Sequence, residues 1–283
     1  MPLLSVKEME GISPMFRGKL GNAFAELLIR FLSIDDVNNL YDRNLSLSGS
    51  EFASAVIKDI GMQCRILFEE SHGSLSEVLP EGPFITVSNH PCGHVDGVAL
   101  VDLFGHLRPD YKVMVNSILA RVKPLEGNFI SVTPTGKERT APTASSVSGI
   151  KAAMRHLRDG GSLGLFPSGA VSDLSLKDRC VRDREWQDAV IRLIMKARVP
   201  VVPVRFFGGN SAFYYTLGLI DWRVRLLRLP AEVFNKSGRV MNIGVGKVIT
   251  VQEQIEAGGD VQAFKSFLRN RVYEMDCKDA VFD

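Results

Sequence analysis

The sequence predicts an α/β fold: a mixed, largely parallel sheet flanked by helices, preceded by an N-terminal helical region. Three observations carry this. From Pro83 onward, apolar runs of strand length alternate with segments of helical periodicity. The first 75 residues hold two helical patterns. No internal repeat and no low-complexity linker interrupts the chain, so residues 76–283 read as one α/β domain behind a helical region at 1–75.

Residues 14–33, PMFRGKLGNAFAELLIRFLS, place Phe16, Leu20, Ala23, Phe24, Leu27, Leu28 and Phe31 at helical spacing, flanked by Arg17, Lys19 and Arg30. Two placements fit: a helix packed on the core, or one lying among lipid headgroups. Gly18 and Gly21 weaken the helix and call for a supporting surface. Residues 49–60 form a second helix. Pro83–Asn89 reads as a buried strand, Gly97–Leu107 as a helix, and KVMVN and Gly127–Val132 as strands. ASSVSGIKAAMRHLRDG is a helix with basic residues in its last turns, stopped by Gly160 and Gly161. Leu163–Gly169 is a short strand running into a turn, and REWQDAVIRLIMKARV a helix. VPVVPVRFFG is a strand whose prolines suggest an edge position or irregular pairing. RVMNIGVGKVI is a late strand and DVQAFKSFLRNRVYEM a closing helix.

The 283 residues are 45% hydrophobic and 23% charged, as a folded protein with a substantial core requires. A net charge of +2 gives no field that would draw nucleic acid. Cys64, Cys92, Cys180 and Cys277 form no paired spacing. The opening MPLLSVKEMEGISPMF has glutamates and a proline where an export signal would have its apolar core. The expectation is therefore a cytoplasmic chain with reduced thiols. No apolar run is long enough to span a bilayer. A mean hydropathy of +0.06 suits either a large core or a protein lying on a membrane.

The richest stretch is SNHPCGHVDG, Ser88–Gly97, at the junction of a strand and a helix. Chemistry gathers at the carboxyl ends of strands in open α/β sheets. Three readings arise. His90, His94 and Asp96 would hold a metal, but Pro91 and Gly93 between the histidines deny them a given helical face. Cys92 would be a nucleophile, but it needs an activating base, and neighbours in a turn rarely point at each other. Otherwise Cys92 is a small apolar filler. Finally, Asp96 would fix the tautomer of His90, leaving its other nitrogen to take a proton from a hydroxyl. A helix-capping aspartate beside a buried structural histidine stands next to all three.

NHPCGHVDG resembles the first motif of the glycerolipid acyltransferases, the group that includes lysophosphatidic acid acyltransferases. In the broad family four residues separate the histidine and the aspartate. Here five lie between His90 and Asp96, which is similar to the narrower bacterial branch labelled hemolysin-like or lyso-ornithine-lipid O-acyltransferase. EGNFISV resembles the second block, LFPSGAVS the third (usually Phe-Pro-Glu-Gly-Thr-Arg), and Val199–Val204 the fourth. FFGGNSAFY, RLLRLPAEVFNKSGRVMNIGVGK and LSIDDVNNLYDRN also resemble segments of that branch, so the likeness covers most of the chain.

The resemblance implies a glycerol-3-phosphate acyltransferase-like fold without a resident cofactor or metal. It implies acyl-ACP or acyl-CoA as co-substrate and His90 as general base supported by Asp96. Backbone N–H groups near Gly169, with Ser168 beside it, are the oxyanion candidates. Asn89, Ser131, Asn210, Ser211, Lys137 and Arg139 are the acceptor-binding candidates. Where the family's second block ends in an arginine and its third carries a glutamate and an arginine for glycerol phosphate, this chain has Ser131 and Val132 in the second and Ser168 and Ala170 in the third, with no arginine in place. Arginine is the natural bidentate reader of phosphate. The expected acceptor is therefore a lyso-amino-acid lipid of ornithine or glycine type, with lysophosphatidic acid as the alternative and Lys137 or Arg139 as replacement charges.

A lipid acceptor implies a membrane surface, at the cytoplasmic face of the inner membrane. Tyr214–Pro230 mixes aromatics with Arg223, Arg225 and Arg228, as an interface does, although an ordinary amphipathic helix has the same composition. Phe16, Phe24 and Trp222 join the arginines as membrane-contact candidates. RCVRDR, Arg179–Arg184, is a candidate patch for an acidic carrier protein. Two rivals remain. One is a metal-dependent hydrolase, the other a non-enzymatic lipid-binding protein. A dinucleotide enzyme is set aside because the glycines of DGGSLG precede a strand instead of following one.

Overall fold

The computed structural model describes residues 17–70, 74–116, 119, 121–132 and 144–277. The strands are β1 (Gln63–Phe68), β2 (Ile85–Ser88), β3 (Lys112–Asn116), β4 (Phe129–Val132), β5 (Leu163–Leu165), β6 (Asp173–Ser175), β7 (Cys180–Arg182), β8 (Val201–Phe206) and β9 (Val240–Val245). Seven of them form one sheet in the order β1-β9-β8-β2-β5-β3-β4, while β6 and β7 make a separate hairpin. Every neighbouring pair in the large sheet is parallel except β8 with β9. The mixed, largely parallel α/β sheet is therefore as expected.

The helices are α1 (Gly18–Phe31), α2 (Ile34–Arg43), α3 (Gly49–Asp59), α4 (Leu75–Val78), α5 (His94–Gly105), α6 (Ala144–Arg158), α7 (Asp188–Ala197), α8 (Ala212–Ile220), α9 (Trp222–Leu227), α10 (Leu229–Phe234), α11 (Val251–Ala257) and α12 (Val261–Tyr273). Strand side chains alternate between the two sheet faces, and each face is covered. Phe84, Val113, Val202, Val204 and Phe206 join Phe52 and Ala53 of α3 and Leu100 and Phe104 of α5. Ile85, Val87, Leu163, Leu165 and Val201 join Leu157 of α6, Ile191 and Ile194 of α7, and Phe264 and Leu268 of α12. Each such buried aliphatic or aromatic side chain contributes about 1.5–3 kcal/mol.

The structure departs from the sequence reading in several places. The helix expected over 14–33 stops at Phe31; Ser33 takes a left-handed φ of 57° and α2 follows. The region placed before residue 75 also supplies a strand, since β1 pairs in parallel with β9 from Gln63↔Val240 to Phe68↔Val245. Its first half carries exposed Gln63 and Arg65, so its apolar run is only the three residues Ile66–Phe68. The helix expected from Arg184 begins at Asp188, leaving Trp186 buried in the preceding turn.

The strand with two prolines is not at an edge: β8 lies between β2 and β9. Its pairing is irregular instead. Val204 faces Val245 and Val201 faces Ile249, so Gly246–Val248 bulge opposite Val202 and Pro203. Pro203 has no N–H to give, but its carbonyl accepts the Gly246 N–H at 2.9 Å.

Inside the sheet, the hydroxyls of Thr86 and Tyr111 share a hydrogen bond of 2.6 Å, both residues being fully buried. Tyr111→Phe leaves the Thr86 hydroxyl without that partner. The expected outcome is a loss of about 1–3 kcal/mol, read as a lower denaturant midpoint at unchanged m-value.

Candidate active site

β2 ends at Ser88, and Asn89–Gly93 turn the chain into α5. The turn depends on Gly93. Its φ is +78°, and a Cβ there would stand 2.9 Å from Leu229 Cδ2 and 3.3 Å from Val171 Cγ2. Asp96 sits in the first helical turn with no solvent exposure. One carboxylate oxygen, Oδ2, accepts the N–H of Cys92 at 2.8 Å and of Gly93 at 3.0 Å, and meets His90 Nδ1 at 3.0 Å. Converging donors at a helix N-terminus are the arrangement that suits an anion.

A carboxylate only accepts, so Nδ1 of His90 carries the proton and Nε2 is left with its lone pair. Nε2 has no hydrogen-bond partner among the described residues, and the side chain is 18% exposed, enough for a substrate atom to reach it. The imidazole stacks on Phe166 of the third block, centroids 4.1 Å apart and planes 29° from parallel. Main-chain bonds fix the residue further. The His90 N–H donates to Asp183 Oδ1 at 3.0 Å, and its carbonyl accepts the Ser172 N–H at 2.8 Å.

The rival uses of the motif fare differently. Cys92 is buried, and burial followed by the charge of Asp96 pushes its thiol well above the ordinary range, which removes it as a nucleophile. His94 is pushed down to about 4, first by burial and then by His90 beside it. Among the described residues, no group of three or more His, Cys, Asp or Glu side chains is arranged to hold a metal ion.

Several acceptor and oxyanion candidates have structural work instead. The Asn89 amide clamps the end of β8: Nδ2 donates to the Phe206 carbonyl at 2.9 Å, and Oδ1 accepts the Phe206 N–H at 2.8 Å. Gly169, at φ +62°, donates its N–H to the Phe166 carbonyl at 2.9 Å, so that amide closes the turn and does not face an oxyanion. The Ser168 hydroxyl donates to the Ala170 carbonyl at 2.7 Å. Ser211 caps α8, accepting the Tyr214 N–H at 3.1 Å and donating to buried Glu232 at 2.7 Å. Asn210 Oδ1 accepts from the buried Lys236 ammonium at 3.0 Å, while its Nδ2 has no partner among the described residues. Ser131 lies on edge strand β4, three strands from β2, where it lines an open cleft of about 440 Å³ beside α6. Lys137 and Arg139 lie outside the described residues.

The membrane-contact candidates also divide. Arg225 is buried: its guanidinium donates to the carbonyls of Val171 and Ser172, pairs with Asp173 and lies over the Tyr214 ring. It occupies the inward face of α9 and ties it to β6. Arg228 sits at the flank, 3.8 Å from Glu232 and over the Phe213 ring. Phe24 and Trp222 are exposed. Phe16 and the Arg223 side chain lie outside the described residues. In RCVRDR, Arg184 pairs with Asp173 and Arg182 lies over the Tyr273 ring.

Sequence reasoning missed Asp183, Ser172 and Phe166, all of which touch His90, and the Glu232–Lys236 web under Asn210 and Ser211. Asp183 was read only as part of a basic run. The signal available was its spacing from Trp186, whose indole N–H it accepts at 3.0 Å.

Two curated relatives are named lyso-glycine lipid O-acyltransferase. One, from Bacteroides thetaiotaomicron, is 25% identical over 248 residues, 85% of each chain. The other, from Phocaeicola vulgatus, is 28% identical over 207 residues, 70% of this chain and 71% of its own. The solved structure of PlsC, a 1-acyl-sn-glycerophosphate acyltransferase from Thermotoga maritima, aligns with 93% of this chain and 99% of its own at 15% identity and a TM-score of 0.46. A family model described as acyltransferase matches residues 11–280, which include every block described above. The chain belongs to this acyltransferase family, and it is an acyltransferase.

Proposed function

We propose that the protein moves a fatty acyl group from a thioester to the hydroxyl of a lysolipid, and that the acceptor is a lyso-amino-acid lipid of glycine or ornithine type. The observation that carries the mechanism is the Asp96 carboxylate on His90 Nδ1, which leaves Nε2 free to act. Nε2 takes the proton of the acceptor hydroxyl as its oxygen attacks the thioester carbonyl. The tetrahedral oxyanion collapses, the carbon–sulfur bond breaks, and the proton on Nε2 passes to the leaving thiolate. Asp96 stabilises the imidazolium between these steps. The donor is an acyl carrier protein or coenzyme A thioester.

The acceptor class is supported from two sides. The two relatives are named for a lyso-glycine lipid. The second block ends in Ser131 and Val132 and the third reads Ser168-Gly169-Ala170-Val171, with no phosphate-reading arginine in either, and Arg184 and Arg225 near the third block are both paired with Asp173.

We further infer peripheral attachment at the cytoplasmic face of the inner membrane. Among the described residues no helix is long and apolar enough to cross a membrane. Yet α1 exposes Leu20 (89%) and Leu27, and α8–α9 exposes Phe213, Ile220 (77%), Trp222 and Leu227. The α8–α10 segment roofs the catalytic turn, with Leu229 against Gly93 and the Tyr215 hydroxyl donating to the Pro91 carbonyl at 3.4 Å. A lipid held on that face enters beside His90.

The test offers the purified protein an acyl-carrier or coenzyme A thioester with a mixture of lysophosphatidic acid, lyso-ornithine lipid and lyso-glycine lipid. Mass spectrometry identifies the product. An acylated amino-acid lipid is expected, with His90→Ala slower by about 10²–10⁴-fold at preserved circular dichroism. Acylated lysophosphatidic acid would keep the mechanism and reject the acceptor. Separately, Ile220→Ser with Trp222→Ser is expected to weaken co-sedimentation with anionic vesicles without lowering the melting temperature. Unchanged binding would reject the docking face.

A further inference from the structure

Asp183 has only about 5% of its surface exposed, and its carboxylate collects donors from three separate segments. Oδ1 accepts the His90 N–H at 3.0 Å and the Ser172 hydroxyl at 2.6 Å; Oδ2 accepts the Trp186 indole N–H at 3.0 Å. Ser172 closes a ring by donating its own N–H to the His90 carbonyl at 2.8 Å. The main chain of Asp183 is anchored in turn by α12. Its N–H donates to the Tyr273 hydroxyl at 2.8 Å, and its carbonyl accepts from the Arg269 guanidinium at 2.9 Å. A rigid path thus runs from α12 through Asp183 to the residue whose Nε2 must meet the acceptor.

We propose that Asp183 is a positioning residue for acyl transfer, fixing the His90 main chain and setting a second carboxylate behind the imidazole. The inference rests on the reading of His90 as the base. Asp96 fixes the ring from one side through Nδ1, and Asp183 fixes the backbone that carries the ring. Orientation matters because a misplaced reacting atom loses the advantage of a preorganised approach. Charge matters because His90 becomes an imidazolium during the reaction, and a nearby buried carboxylate favours that form.

The groups facing this pair are few. Arg269 and Tyr273 face Asp183 from α12, Arg182 and Arg184 flank it in sequence, and Asp96 and His94 face His90 from α5. Burial raises the Asp183 carboxyl above its ordinary range, while its hydrogen-bond donors and His90 act in the opposite sense. A neutral carboxyl at this site would lose its hold on the charge of His90. The positioning effect therefore weakens as pH falls.

The decisive experiment measures kcat and KM against pH for wild type, Asp183→Asn, Ser172→Ala and His90→Ala. Asp183→Asn removes the charge at nearly constant shape. It is expected to lower kcat by about 10–100-fold at unchanged lysolipid KM, and to move the acid limb of the profile down by roughly half to one pH unit. The sign follows because a carboxylate near an imidazole favours its charged form, and asparagine carries no such charge. Ser172→Ala keeps the charge and removes one strut, so kcat falls by about 2–5-fold with the acid limb in place.

A soluble Asp183→Asn enzyme with wild-type kcat and acid limb, altered only in melting temperature, would overturn the proposal. Should that variant fail to fold, Ser172→Ala decides: a lower kcat at fixed KM supports positioning, and an unchanged kcat overturns it. His90→Ala separates the two claims. If it remains active, the base assignment fails. If it is inactive while the Asp183 and Ser172 variants behave as wild type, only the role of Asp183 fails.

Discussion

One carboxylate oxygen organises the active centre. Asp96 Oδ2 takes the amides of Cys92 and Gly93 and the Nδ1 proton of His90, so the same atom caps α5, shapes the turn and sets the tautomer of the base. These tasks are physically inseparable. A fully buried carboxylate is costly unless its charge is satisfied, and the start of a helix supplies both free amides and a favourable dipole. The five-residue spacing between His90 and Asp96 is what lets one side chain reach the turn amides and the ring at once. Gly93 makes that spacing possible, because its conformation and the closeness of Leu229 and Val171 exclude a side chain there.

Around this point the rest of the fold acts as a mount. Phe166 supplies the wall on which the imidazole stacks, Asp183 and Ser172 hold its main chain, and Asn89 binds the strand behind it to β8. The roof is polar inside. Glu232 holds Ser211 and Lys236 holds the Gly209 carbonyl and Asn210 Oδ1, which gives partners to groups of the loop that leaves β8 where no strand can pair with it. Breaking one member would strand a buried charge, so the roof is more than an apolar lid.

Much of this was legible in the sequence, for identifiable reasons. β2, β3 and α6 declare themselves through continuous apolar runs or helical periodicity with clean stops. The His90–Asp96 pair was legible because its partners lie within one turn of chain. What escaped depends on partners distant in sequence. β1 opens with exposed Gln63 and Arg65 and has an apolar run of only three residues, and only β9, far along the chain, makes it a strand. The prolines at 200 and 203 signalled irregularity correctly but not its place, because a bulge just after β9 accommodates Pro203 within the sheet. Arg225 looked like an interfacial residue because composition cannot tell the inward face of α9 from the outward one. Asp173, on another element, neutralises it. Asp183 was hidden among arginines for the same reason.

The motif contains two histidines, and their surroundings decide which one handles a proton. His94 is the first residue of α5, at the positive end of the helix, and burial together with His90 lowers it to about 4. Near neutral pH it is therefore an uncharged ring. His90 stands on the other side of the same turn, where Asp96 touches its ring and Asp183 its backbone. A positive charge is disfavoured at the His94 ring, a few residues from His90. The asymmetry suits the proposed mechanism, since a second imidazolium beside His90 would oppose the charge that His90 carries in it. The repeated histidine thus resolves into one ring held through Nδ1 by Asp96 and one kept neutral beside it.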